Sequence, residues 1–409
     1  CNKSKDDIEA PVIPQSFKDK IVLNNPQTTS DSVVLTWTEL DTTAFRQYII
    51  WRREDPTDVG AQVGAIYDRS ITKFKDINIP YVPYVEYEIR GVLYSGSVII
   101  SNKVSYKRSE IKLVNSSPFD VIFSSQDRLL YFFDKNGDIT QYSLQSQQVI
   151  KKISTAATIG YCDLGTFNGR KELYVPRNDG WIFVYDALTL DKIDQINVGL
   201  NSSCVVFNNN ILFVSTSAWT NRPLKAYNRA TKGLVSETGD FELTRFKKIP
   251  GSNTDLVEIT INIGPVDQDY YSFGSTGNLI THLNDRYHGD YPLDHRIFEI
   301  FPSGDKYITS SSGAIYNKSM TFEASLPRGN LEFTTFDFDA VNGQIYAGTK
   351  TKTVEVYALN GYTKVRSIPT KAYPFKIFKD NTGIICVSST AVPSYFSNTP
   401  FKVIIEEVK

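Results

Sequence analysis

The chain has 409 residues, 41% of them hydrophobic and 22% charged, with 24 Gly and 18 Pro, which excludes collagen-like, low-complexity and globally disordered classes. The 44 Lys and Arg against 45 Asp and Glu leave a net charge of -1, so the basic footprint of a nucleic-acid-binding protein is missing. With 3 His and 4 Cys there is little material for metal clusters, a disulfide framework or histidine-based catalysis.

Residues 1–11, from Cys1 to Pro11, are polar and unpatterned and read as a tether. This stretch resembles the start of a mature bacterial lipoprotein, a resemblance that implies acyl chains on Cys1. Lys5-Asp6-Asp7 resembles the export signal of Bacteroidota-type lipoproteins, which implies an address on the outer face of the outer membrane. No run of 18 apolar residues follows, so lipid is the expected membrane attachment. Cys162, Cys204 and Cys386 lie in apolar strand-like runs and are expected to be buried free thiols.

Residues 12–108 carry strand-like runs at Ser32 to Trp37, Tyr48 to Arg53, Tyr87 to Val92 and Ser97 to Ser101, separated by Pro, Gly, Asn and Asp. Their period-two alternation predicts an all-β sandwich. Val33-x-Leu35-x-Trp37, Tyr48-x-x-Trp51-Arg52 and Pro83 ahead of Tyr87-x-Ile89 together resemble a fibronectin type III domain. By that resemblance Trp37 fills the space between two sheets and Tyr87 hydrogen-bonds back to its own loop. Both roles are structural, and the domain is expected to be a spacer.

Residues 109–409 repeat an apolar-x-x-Tyr pattern at Ile139 to Tyr142, Ile182 to Tyr185, Leu224 to Tyr227 and Val354 to Tyr357. The tyrosines are spaced by 43, 42 and 130 residues, and 130 is close to three further periods. Degenerate units are expected at Asn278 to Asn284 and Ala314 to Asn317, with a last unit ending in Phe401 to Ile405. Four short strands per unit of this length are the pattern of a seven-bladed β-propeller. The unit from Leu173 through Tyr185-Asp186 to Gly199 resembles a blade of YVTN-type and quinoprotein-like propellers, and with no Trp-Asp signature a WD40 propeller is not favoured. Ile111 to Asn115 looks like an outer strand of the last unit, so the ring is expected to close by strand exchange between its ends.

The loops between second and third strands, and those between units, collect Arg177, Asp179, Trp219, Arg222, Tyr291, Lys371, Tyr373, Tyr395 and Phe396. Aromatic rings beside charged groups suit protein hot spots and also glycans. Asp134 to Asp138 spaces oxygens like a calcium loop, but Ile139 stands where such a loop needs Gly, and Asn136-Gly137 is a hairpin signal. His282, His288 and His295 crowd one segment at spacings that match no common zinc pattern and read as a solvated loop. No Gly-x-Ser-x-Gly elbow, phosphate-binding loop or Cys-x-x-Cys occurs, and the cofactor-contact pattern of quinoproteins is not found. The expectation is therefore a non-catalytic, lipid-anchored scaffold without metal or cofactor, an accessory subunit of an outer-membrane complex built around a β-barrel transporter or assembly protein. The alternatives are a surface glycan-binding lipoprotein feeding an importer, and a propeller enzyme of the quinoprotein dehydrogenase or polysaccharide lyase kind.

Overall fold

The computed structural model describes residues 20–29, 32–218, 222–251, 253–392 and 402–408, and every regular element among them is a β-strand. No helix among the described residues is long and apolar enough to cross a membrane. The chain divides into two compact units, Cys1–Leu113 and Val114–Lys409.

In the first unit a three-stranded sheet (Gln27–Thr28, Val33–Thr36, Lys73–Asp76) and a five-stranded sheet (Ala61–Ile66, Phe45–Arg53, Tyr84–Leu93, Val98–Ile100, Val104–Lys107) share one core. Alternation along the strands builds it, because successive side chains point to opposite faces. Val33 and Leu35, Tyr48 and Ile50, and Val85, Tyr87 and Ile89 are the buried sets. Trp37 is buried edge-on to Tyr48 at 5.3 Å between ring centroids. Tyr87 departs from the expected bond to its own loop. Its hydroxyl donates instead to Asp76 Oδ2 on the other sheet at 2.9 Å, an oxygen that also pairs with Arg52 at 2.9 Å. A phenol buried between sheets takes the nearest strong acceptor, and here that is a carboxylate.

Among its described residues the second unit holds seven four-stranded sheets. Their first strands are Pro118–Ser124, Asp163–Phe167, Ser202–Asn208, Arg245–Ile249, Phe298–Ile300, Phe333–Asp339 and Tyr373–Asp380. Sheets 1 to 6 are consecutive antiparallel meanders; the seventh runs Tyr373–Asp380, Gly383–Ser389, Val403–Val408 and takes Leu113–Val114 as its fourth strand. Each sheet shares a core cluster with the next, and one further cluster joins sheet 7 to sheet 1 through Phe375, Val387 and Val403 against Val121, Leu130 and Tyr142.

The repeated tyrosines fall on third strands. Tyr142, Tyr185, Tyr227, Tyr316 and Tyr357 each follow a bulge in the pairing with the fourth strand, and each packs on the preceding sheet. Sheet 4 has the same bulge before Phe273, which packs on sheet 3. The unit expected at Asn278 to Asn284 is therefore misplaced: Leu279–Asn284 is the fourth strand of sheet 4, and the third is Gln268–Phe273. A ring of nearly the same size fills the site, so Phe substitutes for Tyr and the pattern loses its polar marker. The other expected degenerate unit, Ala314–Asn317, is the third strand of sheet 5. Cys162, Cys204 and Cys386 are buried and free, as expected.

Candidate functional site

All seven first strands line one cavity of about 450 Å3. The cavity wall includes Asp120 and Ile122, Tyr161 and Asp163, Arg245 and Lys247, and Lys376 and Phe378. Tyr161 is brought in by close backbone approach: its N–H donates to Ser203 O at 2.7 Å, and Val205 N–H donates to Tyr161 O at 3.0 Å. Gly160 permits this, since a Cβ there would lie 2.1 Å from the Ser203 carbonyl oxygen.

Asp120 sits between two cations, with Arg245 Nη2 at 3.2 Å from Oδ2 and Lys376 Nζ at 3.0 Å from Oδ1. Burial alone would raise this carboxyl, but Arg245, Lys376 and Lys247 outweigh it and hold it down at about 2. The Arg245 guanidinium also lies 3.9 Å over the Tyr161 ring and donates to His295 O at 2.6 Å. Tyr161 Oη and His295 Nδ1 are 2.9 Å apart. Burial, with Arg245, Arg296 and Lys135 nearby, pushes His295 down to about 3, and burial pushes the Cys204 thiol up to about 12. Near neutral pH these groups keep one charge state, and a general acid or base needs a pKa close to the working pH.

Asp337 differs. Burial raises it to about 7 although the N–H groups of Lys379 and Phe338 both donate to it. Its folded pKa lies above the ordinary 3.8, so the folded state holds the proton more tightly and the protein loses stability as pH rises from about 4 through about 7. Asp337→Asn is expected to flatten that stretch of the profile, measured as denaturation midpoints between about pH 5 and about pH 8. An unchanged slope would assign the pH dependence elsewhere.

Among the described residues, Arg177, Asp179, Arg222, Tyr291, Lys371 and Tyr373, singled out by sequence, do not line this cavity. Arg177 is buried, ion-paired with Asp179, donates to Thr155 O at 2.5 Å and lies 3.8 Å over the Phe183 ring. Tyr291 stacks on Phe322 at 4.0 Å. Arg222 and Lys371 are exposed, and Tyr373 is half-buried with Lys352 Nζ 5.0 Å over its ring. Trp219, Tyr395, Phe396, Cys1, Lys5, Asp6 and Asp7 lie outside the described residues.

The three histidines are not one solvated loop. His282 is on the fourth strand of sheet 4, 2.8 Å from Asp269 and stacked on Tyr271; His295 faces Tyr161; only His288 is largely exposed, 3.1 Å from Asp267. Asp240, Asp269 and His282 bring ligand atoms within 4.8 Å of one another. Asn136-Gly137 forms the expected hairpin, with Gly137 at φ +96° and its N–H 2.9 Å from Asp134 O.

No protein-family model matches this chain. No curated protein matches it either. Solved structures do. The WD40 repeats of RRP9 superpose with a TM-score of 0.55 at 11% identity, covering 73% of this chain and 97% of that one. The structure titled U3-55K gives 0.54 at 10% identity, covering 73% and 98%. Likeness at this identity concerns the fold alone: sheet geometry is kept by packing positions that many sequences satisfy. The chain is thus all-β with repeated four-stranded sheets, and its fold is similar to these repeat structures.

Proposed function

We propose that this protein is a non-catalytic interaction scaffold: a seven-bladed propeller closed by strand exchange, beside a fibronectin type III-like spacer. Strand exchange is supported by Leu113–Val114 pairing into sheet 7 and by the core joining sheets 7 and 1. The spacer reading is supported by the two sheets of the first unit around Trp37. The proposed setting, a lipid-anchored accessory subunit of an outer-membrane complex built around a β-barrel, rests on the resemblance of Lys5-Asp6-Asp7 and Cys1 to lipoprotein signals.

One edge carries the scaffold reading. The fourth strands of sheets 1, 2, 3, 5 and 6 each contain charged residues, such as Lys151 and Lys152, Asp194, Glu237, Glu323 and Arg366. Charges on an edge strand discourage pairing with other chains. Leu279–Asn284, the edge of sheet 4, has no Asp, Glu, Lys or Arg, and exposes Leu279 by 39%, Ile280 by 59% and Leu283 by 42%. An uncharged apolar edge suits an extended segment of a partner protein added as a fifth strand, with main-chain hydrogen bonds for affinity and side-chain contacts for selectivity.

The test is Ile280→Lys with Leu283→Lys in the full chain, purified from its own membranes with its co-purifying proteins quantified. Recovery of the partner is expected to fall about tenfold or more, while the melting temperature stays within about 1 °C, because both side chains are on the surface. Equal recovery with the folded variant would remove the docking edge.

A further inference from the structure

Buried carboxylates of the second unit such as Asp120, Glu172 and Glu355 each face Arg or Lys. Sheet 4 departs from this. Asp269 and Glu258 are both fully buried and lie opposite each other on neighbouring strands. Among the described residues, neither of them pairs with Lys or Arg, nor does the exposed Asp240 beside them, and the basic side chain that meets this group is His282, its Nε2 2.8 Å from Asp269 Oδ2. Hydrogen-bond donors are short as well. Tyr271 Oη lies 3.2 Å from Asp269 Oδ2 and 3.4 Å from Glu258 Oε1, and a phenol has one proton to give. Thr244 Oγ1 donates to the other Glu258 oxygen at 3.0 Å, and Asp285 N–H donates to Asp269 Oδ1 at 3.2 Å. When Tyr271 donates to Asp269, Glu258 Oε1 is therefore buried without a donor, which is costly. Asp240, on the loop after Leu234–Thr238, is held in place by Asn284 Nδ2, 2.8 Å from Asp240 Oδ2 and 3.5 Å from Asp269 Oδ2.

We propose that Asp240, Asp269 and His282 bind a divalent transition-metal ion of the zinc class, with a fourth position open to water. Two carboxylates match the charge of such an ion, and an imidazole nitrogen among the donors favours zinc and its neighbours over magnesium and calcium, which take oxygen. The three donor atoms already lie within 4.8 Å of one another. Donors held at about 2.0–2.2 Å from one zinc ion stand at most about 4.4 Å apart, and the exposed side chain of Asp240 supplies the small adjustment. The imidazole is oriented in advance, since it stacks on the buried Tyr271 ring at 4.4 Å between centroids and 17° between planes, and such support tunes a metal site. A metal on Asp269 Oδ2 takes the place of the phenol's proton. Tyr271 is then free to donate to Glu258 Oε1, and all four buried oxygens of Asp269 and Glu258 have partners. The ion would tie the connection between sheets 3 and 4 to the third and fourth strands of sheet 4. It needs no partner protein, so the site stands or falls apart from docking at the edge of that sheet.

The experiment is calorimetric titration of the full chain, first cleared of metal with a chelator, with zinc chloride and, for comparison, with magnesium and calcium chloride. Saturable binding of zinc at a site that magnesium and calcium do not fill is expected. Asp240→Asn, at an exposed loop position, and His282→Gln are each expected to weaken that binding about tenfold or more. His288→Ala removes the largely exposed histidine beside Asp267 and should bind as the unaltered chain does, which separates the site from adventitious zinc on a surface imidazole. Zinc should also raise the melting temperature of the unaltered chain, because it binds the folded state, and should leave that of Asp240→Asn and His282→Gln where it was. No saturable zinc binding, equal filling by magnesium or calcium, or undiminished binding by folded Asp240→Asn and His282→Gln would overturn the site.

Discussion

Replacing Asp120 by alanine is expected to lower the unfolding free energy by about 3–5 kcal/mol and the melting temperature by roughly 10 °C. The substitution removes few atoms. Its effect comes from leaving Arg245 and Lys376, both largely buried, without the carboxylate at 3.2 and 3.0 Å that compensates them. Removing one partner of a buried ion pair costs far more than the pair is worth against an apolar replacement. Combining Asp120→Leu with Arg245→Met and Lys376→Met should therefore recover most of the loss. If the triple variant is no more stable than Asp120→Ala, the deficit lies in packing and not in charge. Acid supplies an independent check. With a folded pKa of about 2 against the ordinary 3.8, the stability that Asp120 contributes is fully present above about pH 4 and is lost as pH falls through about 2. Asp120→Ala should lack that acid-dependent loss, as read from denaturation midpoints across the same interval.

Asp120 and Lys376 also show why the site was hidden in the sequence while much of the fold was not. They lie near opposite ends of the second unit and meet only because sheet 7 packs on sheet 1. Each first strand gives the cavity only a few polar groups, so no local motif forms. The one local trace is Arg245-Phe246-Lys247, two charges at strand period in a run that ends in a buried Ile249. Repeats are a different kind of signal. The third-strand aromatics recur because every sheet must fill the same gap against its predecessor, and that need survives even where Phe273 replaces Tyr. In the first unit, the missed strands Ala61–Ile66 and Lys73–Asp76 bury little on their own. Half-exposed strands carry weak alternation, and only tertiary pairing reveals them. The loop residues failed for the opposite reason: Arg177 looked available in the sequence, but its guanidinium is consumed by Asp179, Thr155 and Phe183.

Val114→Asp is expected to cost about 3–5 kcal/mol, because it places an unpaired carboxylate in an apolar core. Val114 is 2% exposed and packs in the cluster that holds Leu130 of sheet 1 together with Phe375 and Val403 of sheet 7. Its neighbour Leu113 is half-buried on the other face of the same strand. Leu113→Asp should therefore cost much less, about 1 kcal/mol. The contrast separates pairing from composition: a segment that merely lies near sheet 7 would give similar values for the two substitutions, while a strand held in register gives unequal ones. Denaturant unfolding of the full chain, followed by a probe in the second unit, measures the difference. Deleting residues 110–116 extends the test, since it strips the fourth strand from sheet 7 and leaves Val403–Val408 as a bare edge. Loss of several kcal/mol together with new concentration-dependent association is the expected result. A deletion variant as stable and as monodisperse as the parent would mean that sheet 7 does not depend on its borrowed strand, and the proposed closure by strand exchange would fall.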